Sequence, residues 1–274
     1  MDNILQDLSP SKASLALDAN KIASFALFNR LPNVTLHDEQ ELVWFETDIR
    51  HDVFNRVLQA RLESDTASIA IDRVVSHFQR QRMPFLWHVG PSSSPTHPGS
   101  LLEKRGLIHH ETEPGMMLDM LKFNEDMPVT SSLRIHPVNT EALLQQWLRV
   151  WEFGSSEEVI NLWFTFYNDA YLRRESSLRL YLGTLNGEPV ATSGIFLGES
   201  VATIGPIGTL PHLRRQGIGA TMTLAALREA LVQGYHIATL NASPMGIEIY
   251  RRIGFQECCT TSTYLWHPTY DEAK

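Results

Sequence analysis

Two segments of this chain repeat the same order of predicted secondary-structure elements, and such a duplication constrains the fold more than any single motif does. The first segment predicts a helix at 65–81, a strand at 84–89, a turn, the short segment 101–107 and a strand at 116–120. The second predicts a helix at 217–233, a strand at 236–240, a turn at Ser243 and Pro244, the segment 249–255 and a strand at 263–266. We therefore expect one architecture used twice, although this order of elements also recurs in α/β proteins without duplication.

The length of the chain agrees with two domains. It has 274 residues, and a domain takes roughly 150. The segment 122–132 is polar, contains a proline and separates two predicted strands, so we expect a linker there. The predicted domains are residues 1–125 and residues 130–274.

The charge of the chain excludes some classes of partner. Its 23 basic and 31 acidic residues give a formal net charge of −8, which repels the phosphates of nucleic acids and of anionic membranes. We expect no nucleic-acid and no membrane partner.

The acidic start lacks a basic stretch followed by a long apolar run, which argues against secretion and favours the cytoplasm. Cys258 and Cys259 are neighbours, so we expect no disulfide framework.

The second half predicts a mixed sheet with helices. Two helical patterns, at about 139–153 and 157–173, carry aromatic residues at helical spacing, which is more typical of a core than of a binding surface. Three strands follow, with the hairpin signal Asn186-Gly187 between the first two. Three antiparallel strands followed by helix, strand, helix and strand predict an α/β chain of the mixed α+β type.

A loop rich in glycine and arginine stands at the start of the second long helix. Strand residues lead to Pro211 and then to Arg214, Arg215, Gln216, Gly217, Ile218 and Gly219. The first N–H groups of a helix have no carbonyl partner and lie at the positive end of the helix dipole. The glycines let phosphate oxygens approach the backbone, and the arginines add positive charge. This segment therefore predicts an anion site.

The spacing of the loop excludes two nucleotide-binding motifs. A Walker loop needs Gly-Lys-Ser/Thr, which is absent. A dinucleotide fingerprint needs a third glycine where Met222 stands and an acidic residue where Asn241 stands. We also expect no metal, because the eleven histidines form no His-Glu-x-x-His motif and no Cys-Cys-His spacing.

The loop has a close counterpart in a known family. The pattern Arg214-x-x-Gly217-x-Gly219, after a strand and a proline, resembles the coenzyme A pyrophosphate loop of the GNAT acyltransferase superfamily. The segment 240–255 resembles the second half of the same signature. The specific resemblance covers about residues 133–266, and the order and spacing of the two signatures match the family.

The first half resembles a degenerate copy of the same domain. Its segment 60–68 has no Arg-x-x-Gly-x-Gly pattern, and Leu102 stands in the place of Tyr250. The resemblance thus implies a GNAT acyl-CoA acyltransferase fold with tandem GNAT-like domains. We expect the first copy to bind no coenzyme A and to form one side of the acceptor cleft.

The resemblance also implies a set of cofactor residues. Two strands that separate near Thr209 and Asn241 would pair with the amides of the pantetheine arm. The residues implied in acetyl-CoA binding are Ile207, Gly208, Thr209, Arg214, Arg215, Gln216, Gly217, Ile218, Gly219, Ala220, Asn241, Ser243 and Tyr250. Asn241 and Ser243 have an alternative role as caps of the next helix.

Tyr250 is the catalytic residue that the resemblance implies. Its hydroxyl, with a reference pKa of about 10, can protonate the departing thiolate as a general acid. The alternative is a tyrosine packed on the buried face of its helix. Many family members carry an acidic base on the strand before the loop, whereas this chain has none there, and Glu199 is expected in a turn. The base therefore stays unassigned.

The function expected from these residues is transfer of an acetyl or other acyl group from acetyl-CoA to a primary amine. The acceptor is a small-molecule amine or a peptide, and the protein is a monomer or a homodimer. One alternative is a catalytically silent acyl-CoA sensor, to which the missing base lends support. Another is a scaffold in which neither half binds coenzyme A.

Overall fold

The computed structural model describes residues 4–5, 9–63, 65–95, 98–172 and 177–268. The helices are α1 (Pro10–Ala26), α2 (Ala67–Arg80), α3 (Gly99–Glu103), α4 (Glu141–Trp151), α5 (Glu157–Tyr167), α6 (Ile218–Val232) and α7 (Ile247–Ile253). The strands of the first half are β1 (Val34–Asp38), β2 (Leu42–Thr47), β3 (Arg56–Ala60), β4 (Phe85–Val89) and β5 (Ile108–Asp119). Those of the second half are β6 (Arg134–Pro137), β7 (Leu178–Leu185), β8 (Glu188–Leu197), β9 (Ala202–Ile204), β10 (Gly208–Thr209), β11 (Ile237–Asn241) and β12 (Gln256–Trp266).

The repeated order of elements that the sequence predicts is present. The first half runs α2, β4, α3, β5, and the second half runs α6, β11, α7, β12. The hairpin between β7 and β8 turns at Asn186 and Gly187, whose φ angles of 51° and 89° are both positive, as a tight hairpin turn requires. The strands β7, β8 and β9 pair antiparallel, so the prediction of a mixed α+β sheet is confirmed.

The chain forms two compact units, each built from segments distant in sequence. The major unit comprises Met1–Asn20 and Met116–Cys258, and the minor unit comprises Lys21–Gly115 and Cys259–Lys274. The end of β5 thus belongs to the major unit and most of β12 to the minor unit, so each half of the chain contributes part of its last strand to the other unit. The domains predicted from the sequence, which divide near residues 125–130, do not include this exchange of strand residues. Pairing between strands that are distant in sequence leaves no local signal.

In the major unit the strands lie in the order β5, β11, β9, β8, β7 and β6, with β10 paired to β8. One hydrophobic core joins the end of β5, strands β8, β9 and β11, and helices α6 and α7, and it includes Met116, Leu224, Leu240 and Phe255. On helices α4 and α5 the aromatic residues Trp147, Trp163 and Tyr167 are buried. The prediction that this aromatic stripe belongs to a core is confirmed.

In the minor unit the strands lie in the order β1, β2, β3, β4 and β12. Strand β12 pairs antiparallel with β4, from Ser262 opposite Val89 to Trp266 opposite Phe85. Trp266 is buried in the same core as helix α2 and strands β2 and β4. This pairing and this burial explain why the last strand of the chain lies in the minor unit.

The segment 122–132, which the sequence identifies as a linker, packs along the major unit. The backbone N–H of Asn124 donates to the carbonyl of Ile253 at 2.8 Å, and Glu125 pairs with Arg228 on α6 at 3.0 Å. Met127 is buried in the core. The composition of the segment does not indicate these contacts, because the partners of its polar groups lie in distant parts of the sequence.

Candidate functional site

The strands of the major unit separate where the sequence predicts a gap. β9 and β11 run parallel, with Ala202 opposite Ala238 and Thr203 opposite Thr239. Beyond that register the chain turns away from β11, and Gly208 and Thr209 of β10 pair with β8 instead. The edge of β10 and the end of β11 therefore border a gap rather than each other.

This gap continues into a cavity of about 560 Å³ at the start of α6. Its lining includes the predicted residues Ile207, Gly208, Thr209, Arg214, Arg215, Gly217, Ile218, Gly219, Ser243 and Tyr250. The structure thus brings together the two signatures, which lie more than twenty residues apart in the sequence. Gln216, Ala220 and Asn241 are neighbours of these residues in sequence and are not among the lining residues.

Sequence reasoning missed part of the lining. The additional residues are Pro211, His212, Leu213, Thr223, Met245, Gly246 and Ile249. All of them lie between or within one helical turn of the predicted residues, and the helical spacing from Gly219 to Thr223 was a usable signal. The hydroxyl of Thr223 donates to the carbonyl of Gly219 at 2.8 Å, which places this side chain beside the start of α6.

The loop before α6 needs backbone angles that few residues adopt. Arg215 has a φ of 61° and Gly217 a φ of 80°, both in the left-handed region. A Cβ on Gly217 would also lie 3.0 Å from the carbonyl oxygen of Pro128. Gly217 is therefore required by the fold of the loop itself, whatever the cavity binds.

Gly219 differs from Gly217, because neither its backbone nor its packing requires a glycine. It lies in the first turn of α6, and an added Cβ would stand 3.9 Å from both Ile249 Cδ1 and Thr209 Oγ1, which is ordinary contact. Gly219 also lines the cavity. A side chain there would occupy space in the cavity, next to helix N–H groups that lack helical partners.

The charge of the cavity suits an anion. Two arginines line it, and no carboxylate does among the described residues. The Nε of Arg214 donates to the carbonyl of Thr209 at 3.1 Å, and its Nη1 lies 3.5 Å from the sulfur of Met245. Arg214 thus spans from the loop to the turn after β11.

Tyr250 lies on α7 and is one of the residues that line the cavity. It is half-buried, packs against the core, and meets the ring of Phe255 edge-on at 5.8 Å. A Cβ on Gly246 would come 2.7 Å from Cε2 of Tyr250 and 3.3 Å from its hydroxyl. The absence of a side chain at Gly246 therefore leaves the space that the ring occupies.

The structure excludes one of the two roles that the sequence allows for Asn241 and Ser243, which is to cap the next helix with their side chains. Helix α7 begins at Ile247, with Gly246 as its N-cap and no side-chain cap. Neither Asn241 nor Ser243 therefore caps this helix. Glu199 is exposed in the bend between β8 and β9, as expected.

The corresponding gap in the minor unit is filled by the chain itself. There β3 and β4 pair only at Arg56 with Leu86 and Val57 with Trp87. Beyond that point the backbone N–H of Ser94 donates to Ala60 at 2.9 Å, and that of Leu62 donates to Ser94 at 2.8 Å. The strand edge that is open in the major unit is thus occupied here, next to a loop without glycines.

The described residues contain neither a group of metal ligands nor a membrane-spanning helix. No three His, Cys, Asp or Glu side chains in them are grouped so as to hold a metal ion. Nor does any of their helices combine the length and the apolar character needed to cross a membrane.

The family comparison concerns the segment that holds the cavity. Residues 140–255 match the model of the Acetyltransferase (GNAT) family. None of the curated proteins matches this chain. The matched segment contains both signatures and ends at Phe255.

Solved structures extend the likeness to the whole chain. A GCN5-related N-acetyltransferase from Kribbella flavida has a TM-score of 0.69 at 17% identity, with 95% of this chain and 96% of that chain covered. A GCN5-related N-acetyltransferase from Sphaerobacter thermophilus has a TM-score of 0.62 at 13% identity, covering 94% and 93%. A tandem GNAT protein from the clavulanic acid biosynthesis pathway has a TM-score of 0.60 at 12% identity, covering 95% and 97%. This chain therefore has the fold of a tandem GNAT protein.

Proposed function

We propose that this chain, whose residues 140–255 match the model of the Acetyltransferase (GNAT) family, transfers an acetyl group from acetyl-CoA to a primary amine. The nitrogen of the amine attacks directly while both substrates are bound. The acceptor is a small-molecule amine or a peptide. The observation that carries the proposal is the cavity at the start of α6, which joins an arginine-rich glycine loop to an open strand edge.

The loop residues would bind the pyrophosphate of the cofactor. The N–H groups of Ile218 and Gly219 come first in α6 and have no helical carbonyl to bond. Together with the dipole of a fifteen-residue helix they favour a negative group. Arg214 and Arg215 add two positive charges at the rim of the same cavity.

The open strand edge would orient the pantetheine arm. The edge of β10 away from β8 presents backbone groups that amides of the arm can pair with, as an added strand does, and the carbonyl of Thr209 in this strand also accepts from Arg214. Backbone N–H groups near Gly208 would then stabilise the oxyanion that forms as the amine attacks. The distance from the loop to this edge is spanned by the cavity itself.

Tyr250 would complete the reaction as general acid. The nitrogen–carbon bond forms, the carbon–sulfur bond breaks, and the Tyr250 hydroxyl gives its proton to the departing thiolate. The attacking amine loses its proton to water, since no carboxylate lines the cavity in the described residues. Solvent then restores the proton on Tyr250.

A thiol-release assay tests the proposal. The full chain is incubated with acetyl-CoA and, in separate reactions, with polyamines, aryl-alkyl amines, amino acids, aminoglycosides and peptides. We expect acceptor-dependent release of coenzyme A thiol with at least one class. Binding of acetyl-CoA without release in any reaction would instead indicate an acyl-CoA sensor, and absence of binding in a thermal-shift measurement would indicate a scaffold.

A further inference from the structure

The segment 128–130 lies against the outer side of the glycine loop and bonds to it directly. The hydroxyl of Thr130 donates to the carbonyl of Gln216 at 2.7 Å. The backbone N–H of Thr130 donates to the hydroxyl of Thr221 at 2.9 Å. The hydroxyl of Thr221 in turn donates to the carbonyl of Gly217 at 3.0 Å.

These bonds fix the direction of two peptide groups in the loop. A peptide unit is planar and trans, so its C=O and the N–H of the next residue point in opposite directions. When Thr130 holds the carbonyl of Gln216, the N–H of Gly217 must point away from Thr130. When Thr221 holds the carbonyl of Gly217, the N–H of Ile218 must likewise point away from the hydroxyl of Thr221.

The two held carbonyls lie on the side of the loop that faces residues 128–130, where a Cβ on Gly217 would lie 3.0 Å from the Pro128 carbonyl. Gly217 and Ile218 themselves line the cavity. Their N–H groups are therefore turned from residues 128–130 and towards the space where an anion would bind. Without the bond from Thr130, the peptide unit between Gln216 and Gly217 could rotate, and the N–H of Gly217 would lose its direction. The carbonyl of Gly217 also accepts from the backbone N–H of Thr221 at 2.9 Å, so the direction of the Ile218 N–H depends less on the threonine hydroxyls.

We propose that Thr130 is a positioning residue for the cofactor: it holds the loop so that the N–H groups of Gly217 and Ile218 face the pyrophosphate of acetyl-CoA. This inference rests on the proposed function. Thr130 touches neither the thioester nor the acceptor, so its effect is on cofactor affinity and not on the chemical step. The connecting segment between the two halves thereby becomes part of the cofactor site.

Thr130→Val tests this role, because it keeps the branched shape and removes the hydroxyl. We expect Kd and KM for acetyl-CoA to rise about three- to tenfold, the effect of one lost hydrogen bond, while kcat stays within about twofold. Thr130→Ser should restore most of the affinity. Thr221→Val should weaken binding less than Thr130→Val, because it removes the hydroxyl that accepts from Thr130 but keeps the backbone N–H that donates to the carbonyl of Gly217 at 2.9 Å. Thr66→Val is the matched control, because its exposed hydroxyl also donates to a carbonyl, that of Glu63 at 3.4 Å, in the minor unit.

A second readout separates this inference from the proposed function. S-acetylpantetheine has the thioester but no pyrophosphate, so its use should be equal in the wild type and in Thr130→Val. Inorganic pyrophosphate should shift the amide NMR signals of Gly217 and Gly219 in the wild type and require a higher concentration in Thr130→Val. If acetyl transfer is absent but this difference persists, the proposed function fails and the role of Thr130 holds. The role of Thr130 would be overturned if the folded Thr130→Val variant and the wild type had equal affinities for acetyl-CoA and for pyrophosphate. It would also be overturned if neither ligand shifted the amide signals of Gly217 and Gly219 in the wild type.

Discussion

At the scale of single residues, the two glycines of the loop have different reasons to be glycine. Gly217 has a positive φ, and a Cβ there would lie 3.0 Å from the carbonyl oxygen of Pro128, so its replacement would disturb the loop and say little about a ligand. Gly219 is helical and has room for a Cβ. Gly219 is therefore the better position at which to test cofactor binding.

Gly219→Val should abolish measurable acetyl-CoA binding while the protein stays folded. The added methyl groups occupy the space that phosphate oxygens would need, and replacing a helical glycine removes a residue of poor helix propensity. Calorimetric titration measures the affinity, and circular dichroism checks the fold. Ala225→Val adds similar bulk at a half-exposed site on the same helix outside the lining and should keep its affinity. Unchanged affinity in a folded Gly219→Val variant would place the phosphate site elsewhere.

Tyr250→Phe separates the chemical role of this residue from its packing role. The ring keeps its contacts with Phe255 and with the core, so stability should change little. Loss of the general acid should lower kcat by about 10²- to 10⁴-fold with little change in acetyl-CoA affinity. Steady-state thiol release with a good acceptor provides the measurement.

Tyr235→Phe is the control for this change. Its hydroxyl donates to the carbonyl of Gly198 at 2.6 Å and does not line the cavity, so we expect a small loss of stability and a normal kcat. A wild-type kcat in Tyr250→Phe would assign protonation of the thiolate to water or to another group.

The glycines, arginines and Tyr250 could be identified from the sequence because each belongs to a short motif with fixed spacing. Thr130 could not, because its bonds reach Gln216 and Thr221 across some ninety residues. Gly246 was missed for a related reason: its role is to leave space for the ring of Tyr250, and an absent side chain makes no pattern. Contacts that depend on distant segments explain most of what the sequence did not predict at the site.

At the scale of elements, the long helices and the strands around the cavity follow their periodic patterns, whereas α1 and strands β1 to β3 were not assigned from the sequence. Apart from Leu17, helix α1 buries small and polar residues, among them Ser14, Asp18 and Asn20, so it shows no apolar stripe. Asn20 bonds to the carbonyl of Val201 at 3.0 Å and to the hydroxyl of Thr203 at 2.8 Å. These hydrogen bonds attach helix α1 to the chain near β9, and hydrophobic periodicity does not indicate such an attachment.

Three elements of the minor unit meet at the carboxylate of Glu46, and this contact predicts how the stability of the fold depends on pH. Glu46 on β2 bonds to His37 on β1 at 2.8 Å and to His77 on α2 at 2.5 Å. Partial burial acts to raise the pKa of Glu46, but the hydrogen bonds and charges of both histidines outweigh it, and the pKa lies below its usual value. The carboxylate thus stabilises the fold above its unfolded pKa, and this contribution is lost as the pH falls through the lowered folded pKa.

Glu46→Gln should therefore reduce the free energy of unfolding at neutral pH, by about 1–3 kcal/mol for hydrogen bonds to a charged group. The difference from the wild type should shrink as the pH is lowered from about 7 to about 3. Urea unfolding at several pH values measures it. Glu41→Gln, at an exposed position before the same strand, should show no such trend. A difference for Glu46→Gln that is constant over this range would mean that ionisation of Glu46 does not contribute.

At the scale of the whole molecule, each unit depends on both halves of the chain, because the end of β5 lies in the major unit and most of β12 lies in the minor unit. Because residues 259–266 complete the sheet and core of the minor unit, a chain cut after residue 125 should lack cooperative unfolding. Adding a peptide of residues 256–268 should restore it, as followed by circular dichroism during heating. Cooperative unfolding of the cut chain alone, at the temperature seen in the full protein, would show that the exchange is dispensable.

We expect one cofactor site in this chain, although its two units are similar in design. The major unit has the open edge and the glycine loop, whereas Ser94 occupies the matching edge of the minor unit. Calorimetric titration of the full chain with acetyl-CoA tests this most directly. It should saturate at one acetyl-CoA per chain, and the signal should disappear in Gly219→Val. Saturation at two per chain, or one per chain that persists in folded Gly219→Val, would contradict the assignment.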